Sequence, residues 1–142
     1  MIDINKYVGI PFKRKGYAFD GVDCYGLVWL FLKNELNMLL PTFTEYDVWV
    51  DPKEVARQFS LNIPLLYGDP TDTPNFGDVA LFKFRGVANH IGIYVGNNRV
   101  LHAMRGTAST CESINSVRLK GRLEGYYGLT KENKIKHSTT PI

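Results

Sequence analysis

Cysteine is scarce in this sequence: of 142 residues only Cys24 and Cys111 carry a thiol, far apart and in unlike surroundings. That count fits neither a disulfide framework nor a paired CxxC metal site, so free thiols in a reducing compartment are the default reading. Histidine is nearly as scarce. No apolar run reaches membrane-spanning length, and the start, Met1-Ile2-Asp3-Ile4-Asn5-Lys6, has neither the basic opening nor the apolar core of a secretion signal. The expectation is a chain without a membrane span that relies on something else to leave a cytoplasm. Charge of one sign is not in excess either. Seventeen basic and 14 acidic residues leave a formal +3 with no long basic run, which argues against nucleic acid as a partner.

What is present is enough for one core. With 44% hydrophobic and 13% aromatic residues, the chain can bury a single compact domain. Residues 1–130 are read as that domain and 131–142 as a polar tail, and His137 is set aside with the tail. Residues 3–9 are a short helix or an extended arm, and 9–16 a loop punctuated by Pro11 and Gly16. From Cys24 to Asn37 the apolar residues wrap almost fully around a helix, which places it in the core. Residues 42–50 stay ambiguous. Asp51-Pro52-Lys53-Glu54 starts a second helix, expected to be short and peripheral. After Gly68 the pattern changes: residues 69–75 read as loop, and 78–84, 89–95, 99–103, 113–119 and 123–129 as strands. Helices first and a meandering sheet afterwards predict an α+β fold, with the Cys24 helix packed on an antiparallel sheet.

Cys24 stands in the first turn of its helix, directly after Asp23, a good N-cap. The positive end of the helix dipole favours thiolate over thiol, which makes Cys24 a candidate nucleophile. A cysteine there also serves as a small buried hydrophobe. What favours chemistry is the pair His90 and His102, each inside an apolar strand pattern. Their relation depends on the turn at Gly96-Asn97-Asn98. A two-residue loop pairing Gly96 with Arg99 would set the histidines on opposite faces, whereas a three-residue loop or a bulge would bring His102 opposite Gly92. On one face they would lie about 6.6 Å apart along the strands and about 4.8 Å across. That arrangement predicts positive φ at Gly96 or an adjacent asparagine, and Gly92 leaves room where the Cys24 helix could approach. Asp78 reads as a turn residue at a strand start, and Cys111 as incidental.

Four segments together resemble the NlpC/P60 family: Asp23-Cys24-Tyr25-Gly26-Leu27-Val28, Gly77-Asp78-Val79-Ala80-Leu81-Phe82, His90-Ile91-Gly92-Ile93-Tyr94-Val95-Gly96 and Leu101-His102-Ala103. Their order and spacing agree over roughly residues 7 to 129. The resemblance implies a papain-like α+β fold and a cysteine peptidase acting on peptidoglycan stem peptides, commonly after D-γ-glutamate. It implies Cys24 as nucleophile, His90 as general base and His102 as the residue orienting His90, with the Cys24 backbone N–H as an oxyanion donor and neither metal nor cofactor. Two departures bear on the substrate pocket. Phe12 stands where wall hydrolases of the family usually carry Tyr, leaving Tyr17 as the candidate to supply a hydroxyl, and Tyr25 replaces the usual Ser. Asp23, Tyr25 and Tyr17 are therefore the candidate substrate-binding residues. Phe12 is read as packing around the helix start. The form Gly-x-Asp-Cys-aromatic-Gly-Leu-Val most resembles the phage tail-assembly branch, which implies tail-tip proteins as partners and a place in the virion tail or in the host cytoplasm during assembly. Alternatives are a structural tail-tip component, or another thiol hydrolase or acyltransferase on the same fold.

Overall fold

The computed structural model of the chain describes residues 2–40, 42, 52–66 and 68–128. Asp23 is extended (φ −95°, ψ −172°), and its Oδ1 accepts from the Gly26 N–H at 2.7 Å; helix α1, Cys24–Leu36, starts there. Leu27, Val28, Leu30, Phe31 and Leu32 are all buried, so the helix is enclosed rather than amphipathic. Burying each of these large side chains contributes about 1.5–3 kcal/mol, before the entropy of ordering it. Asn37, in the left-handed region at φ 55°, ends the helix.

Ahead of α1 lie a 3₁₀ turn at Ile4–Tyr7 and a small hairpin of β1, Tyr17–Ala18, with β2, Gly21–Val22. The hairpin, absent from the sequence reading, packs against the helix start so closely that a Cβ on Gly26 would sit 1.7 Å from the Gly16 carbonyl oxygen. Only glycine fits there. Residues 7–10 are sewn to a distant part of the chain: Ser109 Oγ accepts from Ile10 N–H at 2.9 Å and donates to the Tyr7 carbonyl at 2.6 Å, while Gly9 N–H reaches Ser109 O and Ser109 N–H reaches Ile10 O, both at 2.8 Å.

Helix α2 spans Pro52–Leu66. It is neither short nor peripheral, because Val55 and Phe59 are fully buried in the main core and the Phe59 ring lies 6.3 Å from Tyr25. Asp51 as its N-cap, the ambiguous stretch 43–50 and the tail 131–142 with His137 lie outside the described residues.

The remaining strands are β3 (Pro70–Thr71), β4 (Val79–Phe84), β5 (Val87–Gly96), β6 (Arg99–His102), β7 (Thr110–Ser113) and β8 (Leu123–Tyr127). They form one antiparallel sheet in the order β3-β8-β4-β5-β6-β7. The helix-on-sheet α+β architecture is as expected, with two corrections. Residues 69–75 are not all loop, since Pro70 and Thr71 pair with Tyr127 and Tyr126 at a sheet edge. The strand expected at 113–119 lies instead at Thr110–Ser113, and 114–122 is a chain of turns.

Both faces of the sheet are covered, which explains why β4 shows four consecutive buried residues rather than alternation. One face, with Val79, Leu81, Ile91, Ile93 and Leu101, belongs to the same core as α1. The other, with Ala80, Phe82, Val100 and Tyr126, is covered by Leu119 and Ile114 from the turns. Those two side chains carry the apolar signal that resembled a strand.

Candidate active site

The turn between β5 and β6 combines both possibilities left open by the sequence. Asn97 and Asn98, at φ 54° and 57°, make a two-residue loop that pairs Gly96 with Arg99. Immediately before it the register shifts, so that Tyr94 pairs Val100 and Ile93 pairs Leu101. The bulge falls at Val95, and Gly96 itself has φ 94°. Continued along the strands, this register sets His102 opposite Gly92. A Cβ on Gly92 would lie 3.1 Å from the His102 Cβ and 3.0 Å from the Leu101 carbonyl oxygen. The room that Gly92 leaves is therefore taken by β6, not by the Cys24 helix.

The two imidazoles share one face, where His90 Nε2 and His102 Nδ1 stand 2.8 Å apart. His90 also packs against Phe82, its cross-strand partner, and edge-on against Phe84 at 5.5 Å. With Nε2 engaged, Nδ1 is the nitrogen left for chemistry. Beyond His102, its Nε2 meets Glu112 Oε1 at 2.5 Å, and Glu112 is held in turn by Arg118 Nη2 on Oε1 and by Ser116 Oγ on Oε2 at 2.6 Å. The sequence reading missed Glu112, Ser116 and Arg118. Alternation along β7 would have pointed Glu112 to the face of His102, but that strand was assigned three residues too late.

Cys24 and His90 line a common cleft of about 190 Å³. Phe12, Phe84 and Met104 form apolar wall, Arg85 and Arg105 bring positive charge, and Asn89 contributes a buried Oδ1 without a hydrogen-bond partner among the described residues. Phe12, bridged to Val22 beside the helix start, thus also forms cleft wall. Asp23, Tyr17 and Tyr25 are not among the lining residues. Asp23 is spent on the Gly26 and Lys15 N–H groups. Tyr25 is fully buried, edge-on to the Tyr17 ring at 6.3 Å, and Tyr17 packs on Trp29 at 5.1 Å.

Electrostatics correct one expectation. Burial, with the Asp23 carboxylate adding to it, pushes the Cys24 thiol up, and the N–H groups of Ile91, Tyr25 and Cys24 itself work against this without reversing it. At 4% exposure the loss of hydration outweighs the helix dipole. His90 is held well below the ordinary imidazole range, first by burial and then by His102 and Arg118, with Glu112 opposing. His102 is also lowered by burial, against the pull of Glu112. Both shifts favour the uncharged forms at rest, thiol and neutral imidazole. For Glu112, burial alone would raise the carboxyl, but the hydrogen bonds from Arg118, Ser116 and His102 win and bring it to about 2.

The chain resembles known proteins in both sequence and fold. The model of the NlpC/P60 family matches residues 9–126. The chain is 28% identical over 102 residues to the probable peptidoglycan endopeptidase LytE of Bacillus subtilis, covering 71% of this chain and 25% of that protein. It is also 28% identical over 114 residues to the murein DD-endopeptidase/LD-carboxypeptidase MepS of Escherichia coli K12, covering 80% and 53%. The chain thus spans a quarter to a half of these curated relatives. Among solved structures, the NlpC/P60 domain of the peptidoglycan hydrolase SagA superposes with a TM-score of 0.61 at 17% identity, covering 88% of this chain and 92% of that one.

Proposed function

The chain belongs to the NlpC/P60 family, and on that premise we propose that it is a cysteine endopeptidase of peptidoglycan stem peptides, with Cys24 as nucleophile, His90 as general base and His102 as the residue that orients His90. The observation that carries this reading is the His90 ring, bonded through Nε2 to His102 in the cleft it shares with Cys24. Because thiol and imidazole are both neutral at rest, the proton leaves sulfur as sulfur attacks the carbonyl carbon. His90 Nδ1 takes that proton and later delivers it to the leaving amine. Cys24 is the first residue of α1, so its N–H has no acceptor within the helix and, directed at its own sulfur at rest, can turn to the developing oxyanion. Asn89 Oδ1 supplies an acceptor for a substrate N–H, and Arg85 and Arg105 suit a substrate bearing carboxylates.

Digestion of purified muropeptides followed by mass spectrometry tests the reading. The intact protein should release cleaved stem peptides, and Cys24→Ser should release none while keeping its thermal unfolding transition. Unchanged muropeptides with a folded wild-type protein would defeat it and favour a structural role. As the finer setting we propose a phage tail, with assembly in the host cytoplasm and a place at the tail tip. Its support is the form Gly21-Val22-Asp23-Cys24-Tyr25-Gly26-Leu27-Val28. Absence of the protein both from purified tails and from complexes with tail proteins during assembly would remove that setting.

A further inference from the structure

Beyond His102 the hydrogen-bond chain continues to a residue to which the family resemblance gives no role. We propose that Glu112 is a positioning residue: anchored by Arg118 and Ser116, it accepts the Nε2–H of His102 and so fixes the tautomer in which His90 keeps its Nδ1 bare for the thiol. This rests on the reading of Cys24, His90 and His102 given above.

The chemistry runs in one direction from Glu112. Its two oxygens receive three donors, Arg118 Nη2 and His102 Nε2 on Oε1 and Ser116 Oγ on Oε2, and a carboxylate so bound has no proton to give. The proton in the contact with His102 must therefore sit on His102 Nε2. A neutral imidazole carries one ring proton, so His102 Nδ1 is a lone pair, and at 2.8 Å it can only accept. The proton between the rings then belongs to His90 Nε2, and the remaining nitrogen of a neutral His90, Nδ1, is bare. Reversing the chain would aim the His102 Nε2 lone pair at a carboxylate oxygen at hydrogen-bond distance, which is repulsive. His102 alone could serve either tautomer of His90; the anchored carboxylate removes the choice.

The anchor also reaches the wall of the site. Arg118 donates through Nη1 to Thr107 Oγ1 at 3.2 Å, which ties Glu112 to the loop following Met104 and Arg105. The titratable and charged groups about the imidazole pair are thus Cys24, Arg85 and Arg105, which line the cleft with His90, and Glu112 from β7 and Arg118 from the turns, which act on both rings.

Two substitutions in the anchor have opposite electrostatic signs. Glu112→Gln keeps an oxygen that can accept from His102 but removes the negative charge, so protonating either imidazole becomes harder. Arg118→Gln removes a positive charge, so protonation becomes easier. Long-range nitrogen-15 NMR of the imidazoles reads tautomer and titration without any substrate. In the wild type both His90 and His102 should carry their proton on Nε2 at neutral pH. Glu112→Gln should keep those tautomers with a titration midpoint shifted down, and Arg118→Gln should shift it up. The acid limb of kcat/KM on muropeptides should move with each midpoint. Glu112→Ala should mix the tautomers and lower kcat/KM by at least about tenfold with little change in KM. A wild-type His102 protonated on Nδ1, or midpoints that move the same way in Glu112→Gln and Arg118→Gln, would overturn the proposal. Should Glu112→Ala fail to fold, the two glutamine variants decide the matter. If wild-type tautomers and opposed shifts appear but no muropeptide is cut, the endopeptidase reading falls and this assignment stands.

Discussion

The carboxylate of Asp23 caps α1 through the Gly26 N–H and, from the same place, sets a negative charge beside the Cys24 thiol. The two effects are separable, because asparagine caps a helix about as well as aspartate but carries no charge. Asp23→Asn should leave the fold intact and move the pH dependence of Cys24 alkylation toward neutrality. Iodoacetamide rates followed by mass spectrometry would show it, and identical profiles for variant and wild type would contradict the assignment. His90→Ala should abolish hydrolysis by removing the proton acceptor, whereas His102→Gln should keep part of it, since an amide can still orient the ring. Full turnover in His90→Ala would refute the role of His90. At this scale the sequence made the cysteine and both histidines visible because each sits in a short motif with its own spacing. It hid the resting state of the thiol, since the dipole of a helix start is a local property and the burial of Cys24 is not. It hid Glu112 for a related reason: only pairing across β6 and β7 brings that carboxylate to His102.

Gly26 stands in the first turn of α1, where alanine would normally be preferred by about 1 kcal/mol. The carbonyl of Gly16 overrides that preference, because the hairpin β1–β2 presses backbone into the space a methyl group would fill. Gly26→Ala should therefore lower the unfolding temperature by several degrees despite its better helix propensity, as differential scanning calorimetry would register. A raised melting point would mean that the hairpin does not lie there. The turn of β5 into β6 was legible as a demand, for positive φ and an odd residue, before it was legible as a shape. The demand came from the need to face two histidines the same way, and the shape, a two-residue loop preceded by a bulge, depends on Val95 leaving the ladder. Removing Val95 should restore plain pairing while keeping Tyr94 with Val100 and His102 opposite Gly92, so hydrolysis and the sheet's circular dichroism should both survive; a folded but inactive variant would contradict this register. Misreading 114–122 as a strand has an equally physical cause. Ile114 and Leu119 are apolar because they cover the second face of the sheet, and turns can supply a cover as well as strands can.

For the molecule as a whole, burying two imidazoles and one anchored carboxylate makes stability depend on acid. His90 and His102 refuse protons in the folded state that the unfolded chain binds below about 6.5, so stability is full above that value and declines as pH falls below it. Glu112, held at about 2, contributes above its ordinary value of 4.5 and loses that contribution as pH falls from 4.5 toward 2, a loss on the order of 1–3 kcal/mol. Urea midpoints should therefore fall in two stages on acidification, with the lower stage reduced in Glu112→Gln. A midpoint flat from pH 7 to pH 3 would contradict both. The seam joining residues 7–10 to Ser109 adds an order in time. During synthesis a ribosome must deliver most of the chain before the N-terminal segment has anywhere to lie, and pairings of such span are slow to form. Cys24 emerges early, but its imidazoles arrive at positions 90 and 102 and the carboxylate that sets their protons only at 112. No half-made chain holds the full set: a chain stopped before residue 90 should carry its thiol without either imidazole, and one stopped before Ser109 should leave residues 7–10 open to proteases.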